Sequence, residues 1–403
     1  MLHSIYLVMK KILLLVLTLG TSLFISCNSN TKEFDITITN PIGLSRSSET
    51  VEIPKSALGI TADSLFSKYG IVDAETGAVV MYQHFDKDGD GVADVILFQP
   101  EVKPKGSKKY IAKPLVPQPE FKSRVFSRFV PERTDDYAWE NDRVAFRTFG
   151  PKAQQMIEQN IPGGTLTSGI DCWMKKVDYP IINKWYKKST EGTGTYHEDT
   201  GEGFDNYHVG ASRGCGGFGV WKNDSLWSSK NFTAWKRLAN GPIRTSFELS
   251  YTDWKAGEQT IKEKQVISLD LGSSLSFVKI KISGTDQITA GITLHEHKGE
   301  ITADVKNGWF DYWEPHPDMK YEMGTALVVL PKYFSGYREY ISGTPDHSHL
   351  FVDMKVLNNE VNYYTGFFWT GSSLFKNKAD WENYLDEFAV KLKNPLNIDI
   401  KKR

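Results

Sequence analysis

From Phe34 to about Pro117 apolar and polar positions alternate in short runs. FDITITN, ETVEIP, GAVVMYQHF, VADVILFQP and KKYIAKP are rich in Val, Ile, Tyr and Phe, and Gly, Pro, Asp and Asn separate them. A period of two bounded by turn residues predicts strands, and residues 34–118 are expected to form a small antiparallel β-sandwich. Pro114, Pro117 and Pro119 argue against a central strand and mark a boundary. The pattern stays mostly β beyond it, in TSFELSYTDW, EKQVISLDL, LSFVKIKISG, ITAGITLHEH, TALVVLP, SHLFVDMKV and NYYTGFFW. Residues 119–403 are too many for a simple immunoglobulin-like sandwich. They predict a large double-sheet β-sandwich, a supersandwich of the galactose-mutarotase-like kind, in an all-β chain with few helices. Helical spacing is confined to PKAQQMIEQN and to ADWENYLDEFAVKLKNP, where Trp381, Tyr384, Leu385, Phe388 and Leu392 trace one face before Pro395.

The start of the chain departs from this pattern. Met9-Lys10-Lys11 precedes the apolar run ILLLVLTLG, and Leu23-Phe24-Ile25-Ser26-Cys27 follows. The run is short for a membrane span, and its order is that of a signal peptide. Residues 1–26 read as a lipoprotein signal with lipidation at Cys27, and residues 27–33 as a polar tether. An ordinary secretory signal with an incidental cysteine is the alternative. The expected location is the bacterial cell envelope, lipid-anchored on the periplasmic side or at the outer membrane.

Composition then narrows the partners. With 24% charged residues, 13% aromatics and a formal net charge of -1, nothing indicates a nucleic-acid surface, which needs a basic excess. An acidic ligand is compatible with that total, because an Arg and Lys cluster can hide within it. Cys172 and Cys215 could pair in an oxidising compartment, but neither has the spacing of a zinc site.

Three motifs carry candidate chemistry. Asp86, Asp88, Asp90 and Asp94 occupy alternate places in a DKDGDGVAD loop, as in the first part of a calcium loop, but Leu97 stands where a bidentate Glu belongs. A structural calcium and a plain hairpin turn both fit. PERTDDYAWENDRVAFRTFG and the following GIDCWMKKVDYPIINKWY offer Arg133, Trp139, Arg143, Trp173, Lys175 and Trp185, a mixture suited to anionic sugars because guanidinium forks bind carboxylates and aromatic faces stack on rings. An ion-pair network within the fold fits equally. In the Gly-rich YHEDTGEGFDNYHVGASRGCGG, His197, Tyr207 and His208 can transfer protons and Arg213 can neutralise a carboxylate. His295 and His297 form an HxH pair that could bind ligand or metal, or cap a sheet edge. No GxSxG, HExxH, P-loop or dinucleotide fingerprint is present.

Those strings, with LANGPIRTSFELSY and YYTGFFWTGSS, resemble a family of secreted uncharacterised-domain proteins encoded beside polysaccharide-degrading enzymes in Gram-negative bacteria, one member of which is assigned as an ulvan oligosaccharide dehydratase. The resemblance spans almost the whole chain after the leader. It implies an enzyme acting on uronic-acid-containing oligosaccharides, a carbon–oxygen lyase removing water from a terminal uronate, with an acidic oligosaccharide substrate and no cofactor for the chemistry. Chemistry assigns the roles: Arg213 with Arg143 or Lys175 neutralises the carboxylate, His197 takes the proton and Tyr207 protonates the leaving oxygen. Arg133, Trp139, Trp173, Trp185 and His295 complete the substrate-binding set. A polysaccharide lyase, a glycoside hydrolase using Glu140, Asp142, Glu202 or Asp205, and a lipid-anchored glycan-binding protein stay open. Both charged segments are expected on one cleft.

Overall fold

A computed structural model describes residues 32–295, 297–316, 321–344 and 346–403. The expected leader and Cys27 lie outside the described residues. No helix among these is long and apolar enough to cross a membrane.

The chain is all-β with few helices, as the period-two runs predict. The first sandwich pairs a four-stranded sheet with a three-stranded one, in the order Val51–Pro54, Val95–Phe98, Tyr82–Phe85. In Phe34–Thr39 the alternation is strict: Phe34, Ile36 and Ile38 enter the core and the residues between them do not. One edge of the four-stranded sheet comes from the far end of the chain, for Asn397–Lys402 pairs antiparallel with Phe34–Thr39, Ile400 opposite Ile36. The expected division at residue 118 assigned this strand to the second sandwich. It is short and follows a helix stop, so only its long-range pairing reveals where it belongs.

The second sandwich rests on a nine-stranded sheet. Its main path runs Ala234–Asn240, Arg244–Ser250, Gln259–Asp270, Leu275–Ser283, Glu360–Trp369, Tyr321–Val329, Trp309–His316, Glu300–Asp304. Two five-stranded sheets face it and share one apolar core with it. One is built around Asp136–Glu140, Ala145–Thr148 and Asp171–Lys175; the other around Cys215–Lys222, Gln287–Thr293 and His349–Lys355. A parallel bridge between Ile170 and Gly214 joins the two at a seam.

Helices close the outer faces. Lys378–Lys393, capped by the Asn377 side chain, lays Trp381, Leu385 and Ala389 on the nine-stranded sheet. Ile182–Thr190 was not anticipated. It covers the outside of the first five-stranded sheet with Ile182, Trp185 and Tyr186, and its lysines face outward. Trp185, expected to bind sugar, is instead part of the apolar face of this short amphipathic helix, together with Tyr186.

Candidate functional site

The two charged segments meet at Arg147. Its Nε lies 2.5 Å from Asp171 Oδ2, and Nη2 lies 3.0 Å from Asp205 Oδ2. Nη1 lies 3.6 Å from Asp136 Oδ2 and 3.3 Å from the Tyr196 hydroxyl, which also accepts from Arg133 Nε at 3.1 Å. Burial pushes Asp136 up to about 6 despite the pull of Arg147, and raises Asp171 and Asp205 too. This is an internal knot of charge rather than an open cleft, because Trp173, Trp185, Tyr186 and Tyr196 pack over it.

Several residues expected to bind substrate are consumed by the same packing. Asp171, Trp173 and Lys175 do share one strand face, but the helix Ile182–Thr190 covers it. Lys175 is fully buried, its Nζ 2.8 Å from Glu140 Oε2, 2.7 Å from the Asn141 carbonyl and 2.9 Å from the Tyr179 carbonyl. Glu140 also accepts the Ile181 and Ile182 N–H groups at the helix start. Trp139 sits in the main core with its Nε1 donating to Ser276 Oγ at 3.0 Å. Arg143 lies in a hairpin turn, its N–H donating to Asn141 Oδ1. The hydrolase candidates are likewise committed: Asp142 accepts from the Gly272 N–H, Glu202 from Tyr179, Lys184 and Trp185, and Asp205 from Arg147.

His197 belongs to the outside of this knot. Exposed, it makes a 2.5 Å hydrogen bond from Nδ1 to the Asp205 carbonyl. It shares no hydrogen-bond partner with Arg213, so the expected trio of His197, Tyr207 and Arg213 is not one cluster. Beside the knot, a cavity of about 450 Å3 is lined by Trp185, Tyr196, Lys184, Lys188, Glu198 and Glu202, among others.

Tyr207 and the backbone of Arg213 reach a second place, a rim where loops at the seam converge, while the Arg213 guanidinium is held by Thr167 and Ser168. Six of the nine histidines fall in the three stretches 208, 295–316 and 347–349 that form or flank it. The Tyr207 ring meets His295 edge to face at 4.8 Å. Burial and the neighbouring thiols of Cys172 and Cys215 push its phenol well up, which makes it a neutral donor and a poor base. Both cysteines are buried free thiols. His295 Nδ1 lies 2.7 Å from Glu314 Oε1, and Nε2 lies 2.9 Å from the His208 carbonyl. With an acceptor at each nitrogen the ring is held as an imidazolium; burial opposes that charge, but Glu314 outweighs it and the pKa is raised. His295 has a positive φ of 39°, a conformation costing on the order of 1 kcal/mol or more in a non-glycine residue. Next to it, His208 Nε2 lies 3.2 Å from both Asp346 oxygens, and its Nδ1 has no hydrogen bond among the described residues.

Arg213 is placed by the seam. Its Nη1 donates to Ser168 Oγ at 3.0 Å and its Nη2 to Thr167 Oγ1 at 2.9 Å; its Cγ would lie 3.1 Å from a Cβ added at Gly291, so the bare strand beneath makes room for it. No carboxylate lies within ion-pairing distance of it among the described residues, whereas buried Arg46 and Arg147 have theirs. Burial lowers its pKa to about 10. The backbone N–H of Arg213 donates to His349 Nε2 at 3.1 Å while His349 Nδ1 donates to the His347 carbonyl at 2.9 Å. Burial, Arg213, His347 and His295 together depress His349 to about 3, so it stays neutral.

Sequence reasoning found Tyr207, Arg213, His208 and His295 but gave no role to Glu314, Asp346 or His349. The available signal was a second HxH pair, His347 and His349, behind an aspartate. In the first sandwich, Asp86, Asp88 and Asp94 bring carboxylate oxygens within 4.8 Å of one another, the one such group of three among the described residues. Asp90 is not in it, and the Asp86 carboxylate already accepts the Gly89 and Gly91 N–H groups. Hard oxygens of that kind suit calcium, and any ion there would act on the turn, far in sequence from the rim.

Residues 38–398 match the family described as a domain of unknown function (DUF4861). The chain is 46% identical over 396 residues to the uncharacterized protein P7 of Formosa agariphila, an alignment covering 98% of this chain and 100% of that one. Among solved structures, an alpha-mannosidase from Enterococcus faecalis is similar with a TM-score of 0.52 at 10% identity, over 92% of this chain and 46% of that one. A glycosyl hydrolase family 38 protein from the same organism gives 0.51 at 10% identity, over 93% and 48%. The chain thus spans about half the length of those structures, and the likeness is one of fold.

Proposed function

We propose that this chain, which belongs to the DUF4861 family, is a carbohydrate-active enzyme that removes water from a terminal uronate of an oligosaccharide by β-elimination at the histidine-lined rim. The observation that carries this reading is Arg213, a buried guanidinium without an acidic partner among the described residues. Such a charge is costly unless an anion meets it, and a uronate carboxylate supplies one in bidentate geometry.

The neighbouring groups supply the rest of the chemistry. Elimination needs the carboxylate neutralised so that charge can develop on it as the adjacent C–H proton leaves, a base for that proton and an acid for the departing hydroxyl. Arg213 meets the first need. His208, oriented by Asp346 and with no partner at Nδ1 among the described residues, is the base in place of His197. His295, kept protonated by Glu314, is the acid, and Tyr207 packs against it as a positioning residue. The base abstracts the proton, the electron pair forms the new C=C bond, and the C–O bond breaks as the hydroxyl takes the proton of His295 and leaves as water. No cofactor enters these steps. At the cell envelope, held through Cys27, such an enzyme would act on oligosaccharides released by other enzymes.

Incubation of the purified protein with uronate-terminated oligosaccharides tests the reading by mass and ultraviolet absorbance together. Loss of one water with a new chromophore supports it. A shortened chain would make the protein a polysaccharide lyase or hydrolase, and an unaltered oligosaccharide that still binds would make it a glycan-binding protein.

A further inference from the structure

A buried cation without an adjacent acid raises the question of what balances it when no ligand is bound. The nearest answer lies on the nine-stranded sheet. Glu263 turns inward from Gln259–Asp270, on the same side as Ile261, Gln265 and Ile267. Its Oε1 accepts from Ser229 Oγ at 3.0 Å and Gln265 Nε2 at 3.3 Å, and its Oε2 from Trp254 Nε1 at 3.2 Å. Ser229 is also the link to the rim: its carbonyl accepts from Ser168 Oγ at 3.3 Å, and Ser168 Oγ accepts from Arg213 Nη1 at 3.0 Å. Two serines therefore separate the guanidinium from a carboxyl group that no lysine or arginine pairs with among the described residues.

We propose that Glu263 is the resident counter-charge of Arg213, and that an anionic sugar binding to Arg213 is taken up together with up to one proton, which Glu263 receives. The inference rests on the reading of Arg213 as a carboxylate site and adds its regulation. Before binding, the Arg213 charge favours ionised Glu263 across the serine link. When a ligand carboxylate neutralises Arg213, that support disappears, two negative charges share one buried cation, and the protonated acid becomes the stable form. The proton comes from solvent: a cavity of about 510 Å3 lined by Tyr251, Asp253, Lys262, Glu263 and Lys281, among others, lies beside Glu263.

The surroundings favour a titration near neutrality. Burial pushes Glu263 up to about 7, against three hydrogen-bond donors and Arg213. The other titratable groups facing it are Tyr251 and Tyr363, both held far above neutrality by burial. Lys262 and Lys264 alternate with Glu263 along the strand and line the same cavity, but they are paired with Asp253 and Glu248. Glu360 at the far wall of the cavity pairs with Lys279, and Lys281 stands beside it.

The sign follows from linkage. Well below pH 7 Glu263 already holds its proton and affinity is flat; above it, binding draws up to one proton per event, and affinity falls by at most about tenfold per pH unit until the raised pKa of the bound state is passed. Calorimetric titration of glucuronate into the whole protein near pH 6 and pH 8, each in two buffers of different ionisation enthalpy, measures the proton directly. The expected result is measurable proton uptake near pH 8, little near pH 6, and loss of that difference in Glu263→Gln, which separates Glu263 from His208 and His295. Proton-neutral binding that Arg213→Met abolishes would overturn this inference and leave the carboxylate site standing. Binding unaffected by Arg213→Met, or no binding at either pH, would overturn both.

Discussion

The backbone N–H of Arg213 and the ring of His349 meet at 3.1 Å, and this contact orders the rim. Because Nε2 accepts, Nδ1 must carry the hydrogen that reaches the His347 carbonyl, so the tautomer is fixed and the ring neutral. His349→Ala therefore leaves a buried N–H unpaired and loosens the residue proposed to hold the substrate carboxylate. The expected effect is a rise in KM by about tenfold, from a cost of about 1–3 kcal/mol. His349→Asn, which can restore an acceptor, should recover part of it. Equal loss in both variants, confined to kcat, would give the ring a direct chemical part instead.

The His295–Glu314 pair predicts a pH dependence. The fold favours protonated His295, whose pKa lies above its ordinary 6.5. Its contribution to stability is complete below that ordinary value and is lost as pH rises through the raised one. Glu314→Gln should remove this contribution, flatten the fall in melting temperature as pH rises above 6.5, and move the alkaline limb of the activity profile downward. Parallel stability curves in the two proteins would show that Glu314 does not support the imidazolium.

At Arg147 the expectation is structural. Arg147→Met strands three carboxylates in the interior, and removing one partner of a buried ion network costs about 3–5 kcal/mol. Thermal or denaturant unfolding reads this loss. Any molecules that remain folded should keep their ligand affinity. A variant with native stability and no activity would move the reaction centre to this knot.

Much of the fold was legible in the sequence, because period-two runs such as FDITITN pair apolar positions with one sheet face wherever the strand lands. Trp139 and Trp173 show the limit. Aromatic and charged residues on one strand suit a sugar platform and a buried sheet face equally, and the difference is the helix Ile182–Thr190 closing over Trp173. At the rim, local glycine and histidine content pointed to Tyr207, His208 and Arg213. The partners Asp346 and His349 stand more than a hundred residues from His208 and Arg213 in the chain, and Glu314 stands 19 from His295, so no local pattern joins them.

The acidic turn at Asp86 is testable separately. Calcium at millimolar concentration should raise the melting temperature if Asp86, Asp88 and Asp94 hold it, and Asp88→Asn should abolish the rise. No shift in the wild-type protein would assign these carboxylates to the turn alone.

The central claim is that Arg213 neutralises a uronate carboxylate so that water can be eliminated. Its most direct measurement is the ultraviolet time course of a uronate-terminated oligosaccharide with the wild-type protein and with Arg213→Met, folding of both being checked by circular dichroism. The account predicts an unsaturated product, one water lighter, formed by the wild type at least about a hundredfold faster than by the variant, as expected when a charge-stabilising donor is removed. Equal rates in the two proteins would contradict it.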